Sequence, residues 1–211
     1  MIQSLFSGLS VDGTPITLAL LLVNVAASAF TLMAAPDLIG RFSMRPYAIV
    51  RGEWDRAVTG SFLHGGFWHL AFNMWALLLF GTLLEAQIFG PIKFAILYFG
   101  SDLCASGLSI WRHRDDPQYS AVGASGAISG VILSYCLFAP LSQLYVFFIP
   151  MPAILFAALY IGGSTYMMRK EGGARGGIAH EAHLGGAIGG IVLTLILEPR
   201  AAQIFWQSLF G

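Results

Sequence analysis

Residues 182–190 read Ala-His-Leu-Gly-Gly-Ala-Ile-Gly-Gly, a short stretch in which glycines form two overlapping pairs. Gly185/Gly189 and Gly186/Gly190 each have a four-residue spacing, so each pair leaves a strip of one helix face without side chains. In membrane helices, such pairs let the backbone of another helix come close. The stretch therefore predicts a helix that packs tightly against a neighbour and carries His183 near its beginning.

The composition of the whole chain is typical of a membrane protein. Hydrophobic residues make up 56% of the 211 residues and charged residues only 10%, which is too little polar surface to cover a water-soluble globule. The formal net charge is zero, so no nucleic-acid partner is expected. Cys104 and Cys136 lie in apolar runs, where cysteine usually acts as a small hydrophobic side chain.

Six apolar segments are predicted to cross the bilayer, because an apolar core of about 30 Å requires roughly 20 residues per helix. From first to last they are residues 16–35, 68–89, 92–110, 123–138, 144–168 and 178–197. Pro150 and Pro152 are expected to loosen or kink the fifth segment. The predicted fold class is all-α, a polytopic six-helix bundle in which residues 1–211 form a single membrane domain without a separate soluble domain.

Two connections between these segments have unusual compositions. The first connection, about 30 residues long, mixes aromatic and charged side chains, which is typical of structure that lies partly in the membrane interface. Residues 169–177 are charged and rich in glycine, which predicts a mobile connection before the sixth segment. The first fifteen residues contain no Lys or Arg, so no removable signal peptide is expected.

Ser125 lies in Gly123-Ala124-Ser125-Gly126, where the fourth segment begins. A serine at this point can simply cap the helix. It can also be a nucleophile, since glycines on both sides keep bulky side chains away from its hydroxyl. The Gly-x-Ser-x-Gly pattern of soluble hydrolases is absent because Ala127 stands two residues after Ser125. The motif alone leaves both interpretations open.

His183 is the predicted partner of Ser125, although a histidine at a helix end can also be structural. Ser125 lies fifteen residues before Pro140, and His183 lies fifteen residues before Glu198. At about 1.5 Å per residue, the two side chains reach the same depth in the bilayer. Their segments also run in the same direction. We therefore expect a hydrogen bond between them, with Ser125 as nucleophile and His183 as general base.

His69 and Asn73 are spaced four residues apart in the second segment, so they share one helix face. Attack on an amide creates an oxyanion that hydrogen-bond donors must stabilise, and both side chains can donate. We expect them to stabilise this oxyanion together with the backbone N–H of Ser125. A polar clamp between helices is the alternative interpretation. His64 is expected to support the neighbouring loop.

The histidines could instead converge on a metal ion. The candidate ligands are His64, His69, His180 and His183. However, the run from His180 to His183 is one residue shorter than the His-Glu-x-x-His pattern of zinc proteases, and no acidic side chain stands at a matching depth in another segment. The sequence therefore predicts neither a metal nor another cofactor.

Taken together and in this order, these residues resemble the rhomboid family of intramembrane proteases. The resemblance rests on Gly52, Glu53, Trp54, Arg56, His64, His69, Asn73, Gly81, Glu85, Gly123, Ala124, Ser125, Gly126, Ala182, His183 and Gly186. It covers segments two to six and implies a six-helix core with a Ser/His dyad that lacks a third, acidic member. It also implies an oxyanion hole at His69 and Asn73, and cleavage of transmembrane substrates that reach the site beside the fifth helix.

Two positions depart from the family pattern. Asp55 stands where the family commonly has a second tryptophan before Arg56. Ser129 stands where some members carry a tyrosine that stacks on the catalytic histidine. Neither departure removes a catalytic atom, but the second predicts a less constrained His183.

The predicted function is that of a serine endopeptidase of the cell (inner) membrane that cuts single-span transmembrane proteins, with membrane lipid as its other partner. A catalytically inactive rhomboid-like protein that binds transmembrane clients is the alternative. A solute transporter would predict inverted repeats, and no clear repeat relates residues 1–105 to residues 106–211.

The distribution of positive charge conflicts with the membrane orientation that the resemblance implies. Nine of the eleven Lys and Arg residues fall on the side of Ser125, leaving only Lys93 and Arg200 opposite. Counted plainly, the positive-inside rule puts the site on the cytoplasmic side. The rhomboid resemblance implies the non-cytoplasmic side. We adopt the latter, because many of these charges belong to the long first connection, where counting loop charges is least secure.

Overall fold

The computed structural model describes residues 12–146, 148–170 and 179–211, and most of these residues are helical. In chain order, the α-helices are α1 (Pro15–Met33), α2 (Asp37–Phe42), α3 (Pro46–Ile49), α4 (Arg56–Thr59), α5 (Phe67–Ala76), α6 (Thr82–Leu84), α7 (Gly90–His113), α8 (Ser125–Phe138), α9 (Ala153–Lys170), α10 (His180–Leu197) and α11 (Arg200–Phe210). A 3-10 turn spans Gly60–Phe62, and π-helical stretches span Leu77–Gly81 and Glu85–Phe89. Strands β1 (Gln143–Val146) and β2 (Ile149–Pro152) lie between α8 and α9.

Three helical stretches of the described chain are long and apolar enough to cross a bilayer, namely Pro15–Met33, Phe67–His113 and His180–Leu197. The second is 47 residues long, and Gly90, whose φ is +66°, lies between the predicted second and third segments, which end at residue 89 and begin at residue 92. α8 is apolar but only 14 residues long. A membrane bundle is therefore supported, whereas the count of six spanning helices stays a prediction.

The glycines of α10 pack against two different helices. A Cβ added to Gly186 would lie 2.7 Å from the carbonyl carbon of Gly126 in α8, and one added to Gly190 would lie 2.6 Å from that of Gly130. On the adjoining face, a Cβ added to Gly185 would lie 2.7 Å from the carbonyl oxygen of Cys104 in α7. The predicted tight packing is confirmed. The pair Gly186/Gly190 packs against α8, and the pair Gly185/Gly189 packs against α7.

α7 runs antiparallel to α10 along this contact. Lys93, near the beginning of α7, donates a 2.7 Å hydrogen bond to Glu198, just after the end of α10. His113, the last residue of α7, lies 3.4 Å from Glu181 at the beginning of α10. The Lys93 hydrogen bond, followed by the effect of Arg200, lowers the pKa of the Glu198 carboxyl and so keeps it charged at this end.

Glu85 places a carboxylate within an apolar segment, and its hydrogen bonds explain how it is accommodated there. It is fully buried and accepts hydrogen bonds from the backbone N–H groups of Ile16 and Thr17, at 2.9 and 2.7 Å, and from the Thr17 hydroxyl. Exposed N–H groups at a helix beginning attract negative charge. Glu85 therefore caps α1 from another part of the chain.

The prediction of a kinked fifth helix over residues 144–168 is wrong in its first part, where two short strands stand in an otherwise helical fold. Gln143–Val146 pairs antiparallel with Ile149–Pro152, so that Pro150 is opposite Tyr145 and Pro152 is opposite Gln143, and the helix begins only at Ala153. Proline cannot donate to a helix ladder, but it is tolerated on an edge strand, and both strands of a two-stranded hairpin are edges.

The first connection folds into α2, α3 and α4 rather than forming one long loop. Buried Arg56 holds it together by donating to Glu53 at 2.6 Å and to the carbonyls of Gly40 and Ser43. Its interfacial position stays a prediction. The mobility predicted for residues 169–177 concerns a stretch of which residues 171–177 lie outside the described residues. The sequence did not indicate α11, whose Trp206 and Phe210 are exposed.

The glycine contact between α8 and α10 predicts the effect of adding one methyl group. Gly186→Ala should lower the thermal stability of the protein in detergent, because overpacking typically costs about 1–3 kcal/mol. Gly162→Ala on α9 is the matched control, since nothing lies within 4 Å of its added Cβ. Thermal unfolding measures both. A Tm decrease for Gly186→Ala no greater than that for Gly162→Ala would contradict the close approach.

Candidate active site

Ser125 is the first residue of α8, and Ala124 rather than Ser125 occupies the N-cap position. Ser125 therefore lies one residue beyond the cap position of this helix. Gly123 turns the chain into the helix with a φ of +123°, and a Cβ at this position would lie 2.6 Å from the His69 ring. Only glycine satisfies both conditions readily. Gly123 thus allows both the backbone turn into α8 and the close approach of the His69 ring.

His183 lies in the first turn of α10, and its Nε2 is 2.8 Å from the Ser125 Oγ. Deeper along the same two helices, the Thr194 hydroxyl donates to the Ser134 hydroxyl at 2.7 Å. Two contacts in the same order along both helices mean that α8 and α10 run in parallel. The hydrogen bond expected from the matched depths of Ser125 and His183 is therefore present.

Tyr160 of α9 supports His183 and was missed by the sequence analysis. Its ring stacks against the His183 ring with a centroid separation of 6.0 Å and an interplanar angle of 25°. Its hydroxyl forms a 2.5 Å hydrogen bond with Ser129, which itself donates to the Ser125 carbonyl at 2.6 Å. The prediction that Ser129 leaves His183 less constrained is thus wrong, because the stacking ring comes from another helix. No spacing in the sequence relates Tyr160 to His183.

His69 and Asn73 both lie at this end of the bundle, but their present contacts differ. The His69 ring lies beside Gly123, while the Asn73 amide donates to the His69 carbonyl at 2.9 Å. His64 is fully buried between α1 and His69, with its Nδ1 2.9 Å from the Ser28 hydroxyl. Burial, and then His69, lower the pKa of His64 to about 3, so His64 is neutral.

A partly open cavity of about 30 Å³ lies beside Ser125. Its polar lining comes from Ser61, Asp102 and Ser106 as well as Ser125. The Ser61 hydroxyl is 2.8 Å from both carboxylate oxygens of buried Asp102. One water needs roughly 10–15 Å³ measured in this way, so the cavity has room for about two waters.

A serine hydroxyl that is hydrogen-bonded to an imidazole, with space for water beside it, can carry out nucleophilic acyl transfer. Among the described residues, no group of three or more His, Cys, Asp or Glu side chains lies close enough together to hold a metal ion. His180 and His183 approach each other edge to face at 6.4 Å.

Comparison with known proteins shows the family of this chain. A family model described as Rhomboid domain matches residues 51–200. Rhomboid protease AarA of Providencia stuartii is 28% identical over 225 aligned residues, which cover 92% of this chain and 77% of that protein. Rhomboid protease GluP of Bacillus subtilis is 32% identical over 163 residues, which cover 77% of this chain and 30% of that protein.

One relative carries a different description. Inactive RHOMBOID-like protein 8 of Arabidopsis thaliana is 34% identical over 79 residues, which cover 37% of this chain and 22% of that protein. For three further curated relatives, the matched part is 44–60% of their length, so the chain spans about half of them. The match to the family model extends over more than half of the chain. This membrane protein belongs to the rhomboid family.

Proposed function

We propose that this protein is an intramembrane serine endopeptidase that cuts the transmembrane segments of membrane proteins. The observation that carries the proposal is the 2.8 Å hydrogen bond between the Ser125 hydroxyl and the His183 imidazole, at the common end of two parallel helices. Relatives named as rhomboid proteases support a protease.

In the proposed reaction, His183 accepts the Ser125 proton while the Ser125 Oγ attacks the substrate carbonyl. The resulting imidazolium then protonates the leaving amine as the peptide bond breaks. Neutral His183 then deprotonates a water molecule, which attacks the acyl-enzyme carbonyl. The ester bond to the Ser125 Oγ breaks, the second product leaves as a carboxylic acid, and the imidazolium returns its proton to the Ser125 Oγ. Tyr160 limits rotation of the His183 ring through its stacking contact, which keeps Nε2 directed at the hydroxyl.

The oxyanion formed during attack needs donors in place before reaction. The Ser125 backbone N–H, at the beginning of α8, is one such donor, because it has no partner within the helix itself. We assign the other donors to His69 and Asn73. His69 is already beside Gly123, whereas the Asn73 amide would turn away from the His69 carbonyl to reach the oxyanion.

Hydrolysis inside a bilayer also requires a supply of water. The cavity next to Ser125 is suited to this supply, because Ser61, Asp102 and Ser106 can form hydrogen bonds with a water molecule bound beside the nucleophile. Water bound here would need to move only within the site to reach the acyl-enzyme.

The proposed substrates are single-span membrane proteins with Gly, Pro or small residues near the cut. A peptide bond in an intact helix is shielded by its own hydrogen bonding, so such residues ease the local unwinding that cleavage requires. We propose that substrates approach from the lipid beside α9, in a single-domain, six-helix core held in the cell (inner) membrane.

Cleavage of a model transmembrane substrate by the purified protein tests this function. The wild-type protein should cut the substrate, and Ser125→Ala should lower the rate to background, because no other group supplies the nucleophile. Ser134→Ala, which lies deeper in the same helix, is the control and should cut at close to the wild-type rate. Equal rates for wild type and Ser125→Ala would contradict the role of Ser125. No cleavage by wild type would favour the inactive client-binding alternative.

The proposed orientation places the site on the non-cytoplasmic side and therefore the end of α10 on the cytoplasmic side. A topology reporter fused after Gly211 should consequently report a cytoplasmic position, because α11 follows α10 at the end opposite Ser125. The control is the same reporter on a membrane protein of known orientation. An extracytoplasmic signal would reverse the assignment and favour the plain count of positive charges.

A further inference from the structure

Three polar residues near the dyad have no part in the proposed reaction. They are His113 at the end of α7, Tyr119 in the connection between α7 and α8, and Glu181 in the first turn of α10. Their exposed fractions are only 5%, 2% and 4%. Burial of a carboxylate and two polar rings is costly unless they are paired with one another, so their mutual contacts are a specific feature of this fold.

The three side chains form one compact cluster. The Tyr119 hydroxyl donates a short hydrogen bond to the Glu181 carboxylate. The His113 ring stacks on the Tyr119 ring with a centroid separation of 3.9 Å and an interplanar angle of 11°, and its Nε2 is 3.4 Å from the same carboxylate. Burial, and then the charge of Glu181, raise the pKa of the Tyr119 phenol, so it remains a donor.

This cluster joins the two chain segments that lead into the dyad. Tyr119 lies six residues before Ser125, and Glu181 lies two residues before His183. The short stretch between Tyr119 and Ser125 is itself fixed, because Ala121 pairs with Met44 in both directions and the Gly123 N–H donates to the Gly60 carbonyl. Since these contacts hold Tyr119 and Ser125 in place, a displacement of Glu181 away from Tyr119 would carry His183, two residues further along the same helix, away from Ser125.

We propose that the Tyr119–Glu181 hydrogen bond, backed by His113, is a positioning clamp that sets the distance between the nucleophile and the general base. The clamp rests on the proposed protease function and adds residues to it that touch neither substrate nor reacting atoms. Displacement of reacting groups by about 1 Å can lower a rate about 100-fold. Loss of the clamp should therefore reduce turnover rather than substrate binding.

Removing the Tyr119 hydroxyl tests the clamp. Tyr119→Phe should lower kcat for the model substrate about 10- to 100-fold and change KM less than about twofold. The matched control is Thr194→Val. This change removes a different buried hydrogen bond, from Thr194 of α10 to Ser134 of α8, which lies far from the dyad. Thr194→Val should keep the wild-type kcat even where its Tm falls as much as that of Tyr119→Phe.

Variants of Glu181 keep the proposal testable if Tyr119→Phe does not fold. Glu181→Gln retains an acceptor for the Tyr119 hydroxyl and should keep at least about a third of the wild-type kcat, whereas Glu181→Leu should lose as much as Tyr119→Phe. If both groups act through one hydrogen bond, Tyr119→Phe combined with Glu181→Leu should lose little more than either alone.

The outcomes separate the clamp from the protease function. Wild-type kcat in Tyr119→Phe and Glu181→Leu would overturn the clamp and leave the protease function intact. An equal loss of kcat in Thr194→Val at equal Tm would also overturn it, because general destabilisation would then explain the effect. Absence of cleavage by the wild-type protein would instead overturn the proposed function and the clamp with it.

Discussion

The close approach of α8 and α10 brings the beginnings of these two helices, and with them Ser125 and His183, together. Gly126 and Gly130 of α8 meet Gly186 and Gly190 of α10 with no space for a Cβ between them. At this separation, side chains at the beginnings of the two helices come within hydrogen-bond reach, as the 2.8 Å contact between Ser125 and His183 shows. Because packing rather than a hydrophobic driving force holds membrane helices together, the glycines supply the constraint that a soluble protein obtains from its core.

Buried polar groups fix the remaining elements around this contact. Within an apolar environment each polar group must find a partner in the protein, so each pair defines a relative position. Glu85 attaches α1 through Thr17, Ser61 attaches the first connection to α7 through Asp102, and Tyr119 attaches the α7–α8 connection to α10. The polar contacts therefore locate the elements that surround Ser125 and His183.

Part of this arrangement follows from spacings within single helices. The glycine pairs of α10 predict tight packing from their spacing alone, and the equal depths of Ser125 and His183 predict their contact. Such inferences need only helix geometry and a bilayer of fixed thickness. The same reasoning could not find Tyr160 or the Tyr119–Glu181 contact, because the partners are 23 and 62 residues apart and their meeting depends on the tertiary packing of connections.

Two other differences arise from local chemistry. An apolar run that contains Pro150 and Pro152 fits a kinked membrane helix or an edge hairpin equally well by composition, and pairing between two strands decides the matter. α11 is too short and too polar to register as a spanning segment, although its apolar side chains fit a helix at a membrane surface.

In the proposed mechanism, Ser125 is nucleophilic only because His183 takes its proton. The most direct measurement is the rate at which a fluorophosphonate labels Ser125 in the wild-type protein and in His183→Asn. Asparagine can form a hydrogen bond with the hydroxyl but cannot accept its proton at neutral pH. Labelling of His183→Asn should be slower by at least about 100-fold. Equal labelling rates in the two proteins would contradict the assignment of His183 as the general base.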